Sequence, residues 1–238
     1  MKDSFARLAG VLVAAFVAAL AIAAPATAAD AVRTTVPVSA SDIAHFRSVW
    51  TQYGVPITTQ DALISKLRNG GIWDALTTTA SPVSTTVVTS GGVREAISRF
   101  ADGSIKVVGQ DTMPNPGQIS PMADIYGCKI VSSGPSYINR SCTVHTNVVV
   151  ADFAYGVTFR QVQNHYDNIV SRSTNLTFNC YSGTCSGDYV KTIRTTETAS
   201  LPASVQGGLV FTCYGGTCSR SYFLVFELRN DKYTAWNN

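Results

Sequence analysis

Apolar residues first recur at helical spacing. In SDIAHFRSVWTQYG, Ile43, Phe46, Trp50 and Tyr53 step by three, four and three, which lays one apolar stripe along a helix. Ser41 reads as the N-cap with Asp42 in the first turn, and Gly54 followed by Pro56 marks the end. TTQDALISKLRNGG predicts a second helix, with Leu63, Ile64 and Leu67 as its stripe and Asn69-Gly70-Gly71 as its stop. Thr58 and Asp61 resemble a capping box at its start. Residues 41–76 therefore read as a helical hairpin, either a small subdomain or a cover on a β domain.

The period then changes from 3.6 to two. TTTASPVSTT, residues 77–86, has the composition of a linker. Asp102-Gly103 between two strand-like runs signals a hairpin, and the three prolines in residues 112–122 signal a loop. Further on, Phe153, Tyr155, Val157 and Phe159 alternate with small and polar residues, and Tyr222, Leu224, Phe226 and Leu228 form a second run at the same period. Such alternation gives each strand one apolar face. Turn signals fall at Gly134-Pro135, Asn168, Gly187-Asp188 and Gly207-Gly208. The expected fold is mainly β with a small N-terminal helical segment (α+β): six to eight antiparallel strands in a sandwich or open barrel. The division is an irregular lead-in over 29–40, the helical hairpin over 41–76, a linker and β-hairpin over 77–126, and a β domain over 127–238.

The first 28 residues read differently. Lys2 and Arg7 precede an uncharged run over residues 8–24, and Ala26-Thr27-Ala28 supplies a small-residue cleavage site. That order is the expected form of a secretory signal peptide, so the protein is expected to be extracellular, with no membrane association after cleavage. Lys2, Arg7 and Asp3 fall within the segment, which leaves 16 basic against 14 acidic residues. A balance so near neutral, without a basic run, argues against a nucleic-acid partner.

Six cysteines then acquire meaning: Cys128, Cys142, Cys180, Cys185, Cys213 and Cys218. An even number in an exported chain predicts disulfides. Residues 176–189, LTFNCYSGTCSGDY, and 209–222, LVFTCYGGTCSRSY, agree at nine of fourteen positions, an internal repeat. Each copy reads as a hairpin whose four-residue tip sets its two cysteines opposite one another. Local pairs, Cys180–Cys185 and Cys213–Cys218, are the leading expectation, with Cys128–Cys142 enclosing a third loop. Crosswise pairing and a four-cysteine zinc site are the alternatives. Tyr181 and Tyr214 sit at the two tips, placed either to meet a ligand or to cover their own disulfides.

The Trp-bearing helix, TQDALISKLRNGGIWDAL, ADGSIKVV, and GCKIV with SCTVHTNVVVADFAYGVTFRQVQNHYDNI together resemble a group of uncharacterised secreted proteins of actinobacteria, over roughly residues 41–170. The resemblance implies a secreted location and a shared architecture, and no chemistry.

Catalytic and nucleotide-binding motifs are absent from the sequence, and no metal or cofactor is expected. Three histidines remain. His45 lies beside the stripe of the first helix and is expected to be partly exposed. His145 lies in the run CTVHT. His165 and Asp167 form an H-x-D pair, which on a strand would put both on one face. His165, Asp167 and His145 are the weak candidates for an unfamiliar hydrolytic site. Glu197 and Glu227 are candidate carboxylates with nothing to place them together. The leading expectation is a non-catalytic binding protein that presents loops to an extracellular glycan or protein. A structural cell-envelope role is a further alternative.

Overall fold

A computed structural model describes residues 37–90, 93–111, 123–216 and 218–238. The expected signal peptide, most of the lead-in and the proline-rich loop lie outside the described residues. The described residues belong to one compact unit.

Helix α1 (Ala40–Gln52) and helix α2 (Ile57–Arg68) carry the expected stripes: Phe46 and Trp50 are fully buried, and Leu63, Ile64 and Leu67 nearly so. Their caps differ from expectation. Ser39, not Ser41, accepts from the Asp42 N–H. At α2 the cap is Pro56, with no side-chain bond, and the Thr58–Asp61 box is not formed. The helix begins at Ile57, so Thr58 lies inside it at the second position and cannot serve as the cap residue of a box.

The described residues also form twelve strands: β1 (Ser84–Ser90), β2 (Val93–Arg99), β3 (Ile105–Asp111), β4 (Asp124–Gly134), β5 (Tyr137–Val148), β6 (Ala151–Val162), β7 (Asn168–Arg172), β8 (Thr177–Cys180), β9 (Gly183–Arg194), β10 (Ala203–Cys213), β11 (Ser219–Arg229) and β12 (Lys232–Asn237). One sheet has seven strands in the order β1-β2-β3-β12-β11-β10-β9. The other runs β4-β5-β6-β7, and β8 continues β7's place along β6. All pairs are antiparallel, and both sheets are open. The fold is a sandwich. Its core joins Phe153, Tyr155, Val157 and Phe159 of β6 to Leu224, Phe226 and Leu228 of β11, and the Tyr155 hydroxyl donates across to Val205 O at 3.0 Å. The helices share that core through Phe46, Trp50 and Trp73, so they cover the β domain. The Asp102 turn between β2 and β3 completes the dock, with Lys66 Nζ 2.7 Å from Asp102 and 2.9 Å from Asp74.

Three expected breaks lie inside strands. The linker ends early, because β1 starts at Ser84. Gly187 sits within β9 at a bulge, with φ 61°. Gly207-Gly208 lies in the middle of β10. A Cβ at Gly207 would come within 2.8 Å of the Tyr155 ring, so glycine here serves close packing.

All three local disulfides are formed: Cys128–Cys142, Cys180–Cys185 and Cys213–Cys218. The second repeat copy is the expected hairpin, β10 to β11. The first is not. β8 pairs with β6 in one sheet and β9 pairs with β10 in the other, so Cys180–Cys185 spans the corner where the chain changes sheets.

Candidate functional site

The expected His165–Asp167 pair does not form. Both residues lie in the turn between β6 and β7; His165 is exposed, and Asp167 is 1% exposed. Asp167 accepts from the N–H groups of Val162 and Asp231, each at 2.8 Å, and burial raises its pKa against those bonds. Glu197 accepts from the N–H groups of Asn230 and Asp167 at 3.2 Å. Two buried carboxylates thus hold the Asn230-Asp231 turn, whose φ values are 51° and 61°. That work is structural. His165 lies just past the end of β6 that pairs with Tyr137, eight residues along β5 from His145, a separation of roughly 25 Å. Glu227 lies half-buried on β11.

His145 has a different partner. Its Nδ1 is 2.9 Å from Oδ1 of Asp124, the residue directly opposite on β4. Strand register explains the meeting. Cys128 and Cys142 alone would align Asp124 with the inward-facing Thr146. A bulge between Tyr126 and Lys129, with Gly127 at φ 65°, shifts the register by one. The shift turns Asp124 and Tyr126 to the outer face of the five-stranded sheet, beside His145.

Two rows of side chains cross that face. Asp124, His145, Ala154 and Thr177 form one; Asn147, Asp152 and Asn179 form the next. Ala154 lies between polar neighbours, Ser173 Oγ covers Gly156 further along and accepts from its N–H at 2.8 Å, and the Tyr126 ring, 43% exposed, stands edge-on to His145. His145 and Asp152 are diagonal neighbours, roughly 7 Å apart. Asp152 accepts from Asn179 Nδ2 at 3.2 Å and from the Tyr181 hydroxyl at 3.1 Å.

Tyr181 leads from this face to helix α1. Its ring stacks on His45 with centroids 3.5 Å apart and planes 11° off parallel. Burial and then the Asp152 charge push its pKa up to about 12. The next residue, Ser182, donates through N–H and hydroxyl to Asp42 of α1. Tyr181 is therefore engaged by the helix, whereas Tyr214 at the other tip is 41% exposed. Burial lowers the pKa of His45, against the opposing pull of Asp152, so its ring is neutral at pH 7.

Three buried polar atoms on and beside this face have no hydrogen-bond partner: Asp124 Oδ2, Asn147 Oδ1 and His45 Nε2. A carboxylate with one oxygen unpaired is a costly thing to bury. Its effect is to hold the His145 ring by Nδ1, which leaves Nε2 as the free end of an oriented imidazole. Sequence reading found His145 and Tyr181 but missed Asp124, Tyr126, Asn147 and Asp152. For Asp124 and Tyr126 the spacing of the Cys128–Cys142 loop carried the register to within one residue, and the bulge hid the rest; Asn147 and Asp152 meet across β5 and β6, whose register no motif marks. Among the described residues no group of acidic, histidine or cysteine side chains is arranged to hold a metal ion, and no helix is long and apolar enough to cross a membrane.

No protein family, curated protein or solved structure matches the chain.

Proposed function

We propose that this is an exported, non-catalytic binding protein that holds an extracellular glycan on the outer face of its five-stranded sheet. The observation that carries this reading is the Asp124–His145 pair set beside Tyr126 and Asp152 on the outer face of the sheet. Hydroxyl-rich ligands need planar acceptors and donors at fixed positions together with an aromatic ring to lie against. This face supplies each of these, and the disulfide-stapled scaffold beneath it limits the entropy lost on binding. Export rests on the signal-like N-terminus and is supported by the three disulfides, which persist in oxidising surroundings.

Retention of the mature protein on insoluble cell-wall polysaccharides, then calorimetry with soluble fragments, tests the reading. Tyr126→Ala is expected to weaken binding at least tenfold while keeping the wild-type melting temperature within a few degrees; His145→Ala is expected to weaken binding as much and also to lower the melting temperature, because it leaves the buried Asp124 carboxylate without its partner. A wild-type protein that no polysaccharide retains, or variants that bind as well as wild type, would sink it.

The oriented imidazole favours one second reading: His145 as a general base in a hydrolase. No serine or cysteine is bonded to it among the described residues, so water would be the nucleophile. Release of soluble sugar from a retained polysaccharide, abolished by His145→Ala, would select this reading over binding alone.

A further inference from the structure

A separate cleft lies where the helical segment meets the seven-stranded sheet. Its apolar wall includes Trp73, Leu76 and Val149, and its cavity volume is about 70 Å³, about half that of a cavity that encloses benzene, so the cleft takes a small head group and leaves a larger body to lie at its open side. Three donors line it: Lys106 of β3, and Arg220 and Tyr222 of β11. Arg220 is held from behind, donating through Nε to Leu76 O at 3.0 Å and through a second nitrogen to Thr77 O. Lys106, half-buried, has no carboxylate partner among the described residues, whose ion pairs all lie elsewhere. Two cations facing one apolar cleft without a paired counter-charge repel each other and lose hydration, an arrangement that a bound anion relieves.

We propose that this cleft binds a small organic carboxylate, with Lys106 and Arg220 holding the charge, Tyr222 donating a third bond and the Trp73 side receiving the apolar body. The fixed guanidinium suits the planar, forked geometry of a carboxylate. Other groups of the cleft agree with this role. Burial, together with the nearby Arg220, lowers the pKa of Lys106, the direction that an anion would reverse. Burial raises the Tyr222 pKa to about 12, so its hydroxyl keeps the proton it would donate.

The test is calorimetry on the full mature protein with acetate, butyrate and benzoate, against inorganic phosphate and butylamine. Affinity is expected to rise at least tenfold from acetate to benzoate, with no binding of butylamine. Lys106→Met keeps the stem, removes the charge and breaks no ion pair; it is expected to lose at least tenfold in benzoate affinity. Tyr222→Phe, a milder change, is expected to lose severalfold. His145→Ala should leave benzoate binding unchanged, which separates this site from the glycan face. Failure of every carboxylate to bind, phosphate binding as tightly as benzoate, or Lys106→Met binding as wild type would each overturn the proposal.

Discussion

Asp102 concentrates several of the molecule's local demands in one carboxylate. Burial works to raise its pKa, but Lys66, the Ser104 hydroxyl and the N–H groups of Asp74 and Ser104 together outweigh it and hold the value at about 2. A depressed carboxylate contributes stability that is full above its unfolded value near 4 and is lost as pH falls through the folded value. Thermal melts between pH 5 and pH 2 should therefore show a steeper acid loss for wild type than for Asp102→Asn, which has no such charge to neutralise. Parallel curves would mean that the turn is not an electrostatic anchor. The Asp102-Gly103 signal was legible because a turn needs particular residues at particular places. Its second use, as the dock for Lys66, was not, since Lys66 arrives from 36 residues away.

Between helix α1 and the β8–β9 corner the contacts are mutual, and they decide what Tyr181 does. The repeat CYSGTC and CYGGTC is nearly one sequence, yet one copy turns within a sheet and the other passes between sheets. Their neighbours differ: the first copy meets His45 and Asp42. Tyr181→Phe should cost about 1 kcal/mol through the lost bond to Asp152, and Tyr181→Ala about 2–3 kcal/mol through loss of the stack as well. Chemical denaturation at pH 7 measures both. Equal effects of the two substitutions would show that the stack adds nothing. Helices and long strands were readable because their periods repeat within one segment, as in Phe153 to Phe159. The fates of the short β8 and of Gly207 were not, because each depends on Tyr155 or β6 packed against it.

Across the sandwich, the disulfides set how firmly the two sheets and the corner are held. Chain entropy assigns about 2 kcal/mol to each six-residue ring and about 3 kcal/mol to the fifteen-residue ring of Cys128–Cys142. Paired alanine replacements should rank in that order in urea midpoints, with Cys128→Ala/Cys142→Ala the most damaging. That bridge also flanks the bulge that aims Asp124 and Tyr126, so its loss should weaken the proposed glycan binding as well as stability. The Cys213–Cys218 replacement should lower stability and leave binding intact. A binding loss common to all three replacements would mean that the face depends on global stability alone.

Composition and periodicity determined the class of the molecule: a β-rich domain, two helices with identifiable buried stripes, and six cysteines spaced for local disulfides. Those properties arise from residues close in the chain, where spacing alone decides which side chains share a face. Tertiary structure decided the rest: that the helices lie on the sandwich, that one repeat copy bridges its sheets, and that His145 faces Asp124 while His165 stands apart. Those outcomes turn on strand register and sheet order, and a single bulged residue at Gly127 moves a carboxylate from the inner face to the outer one.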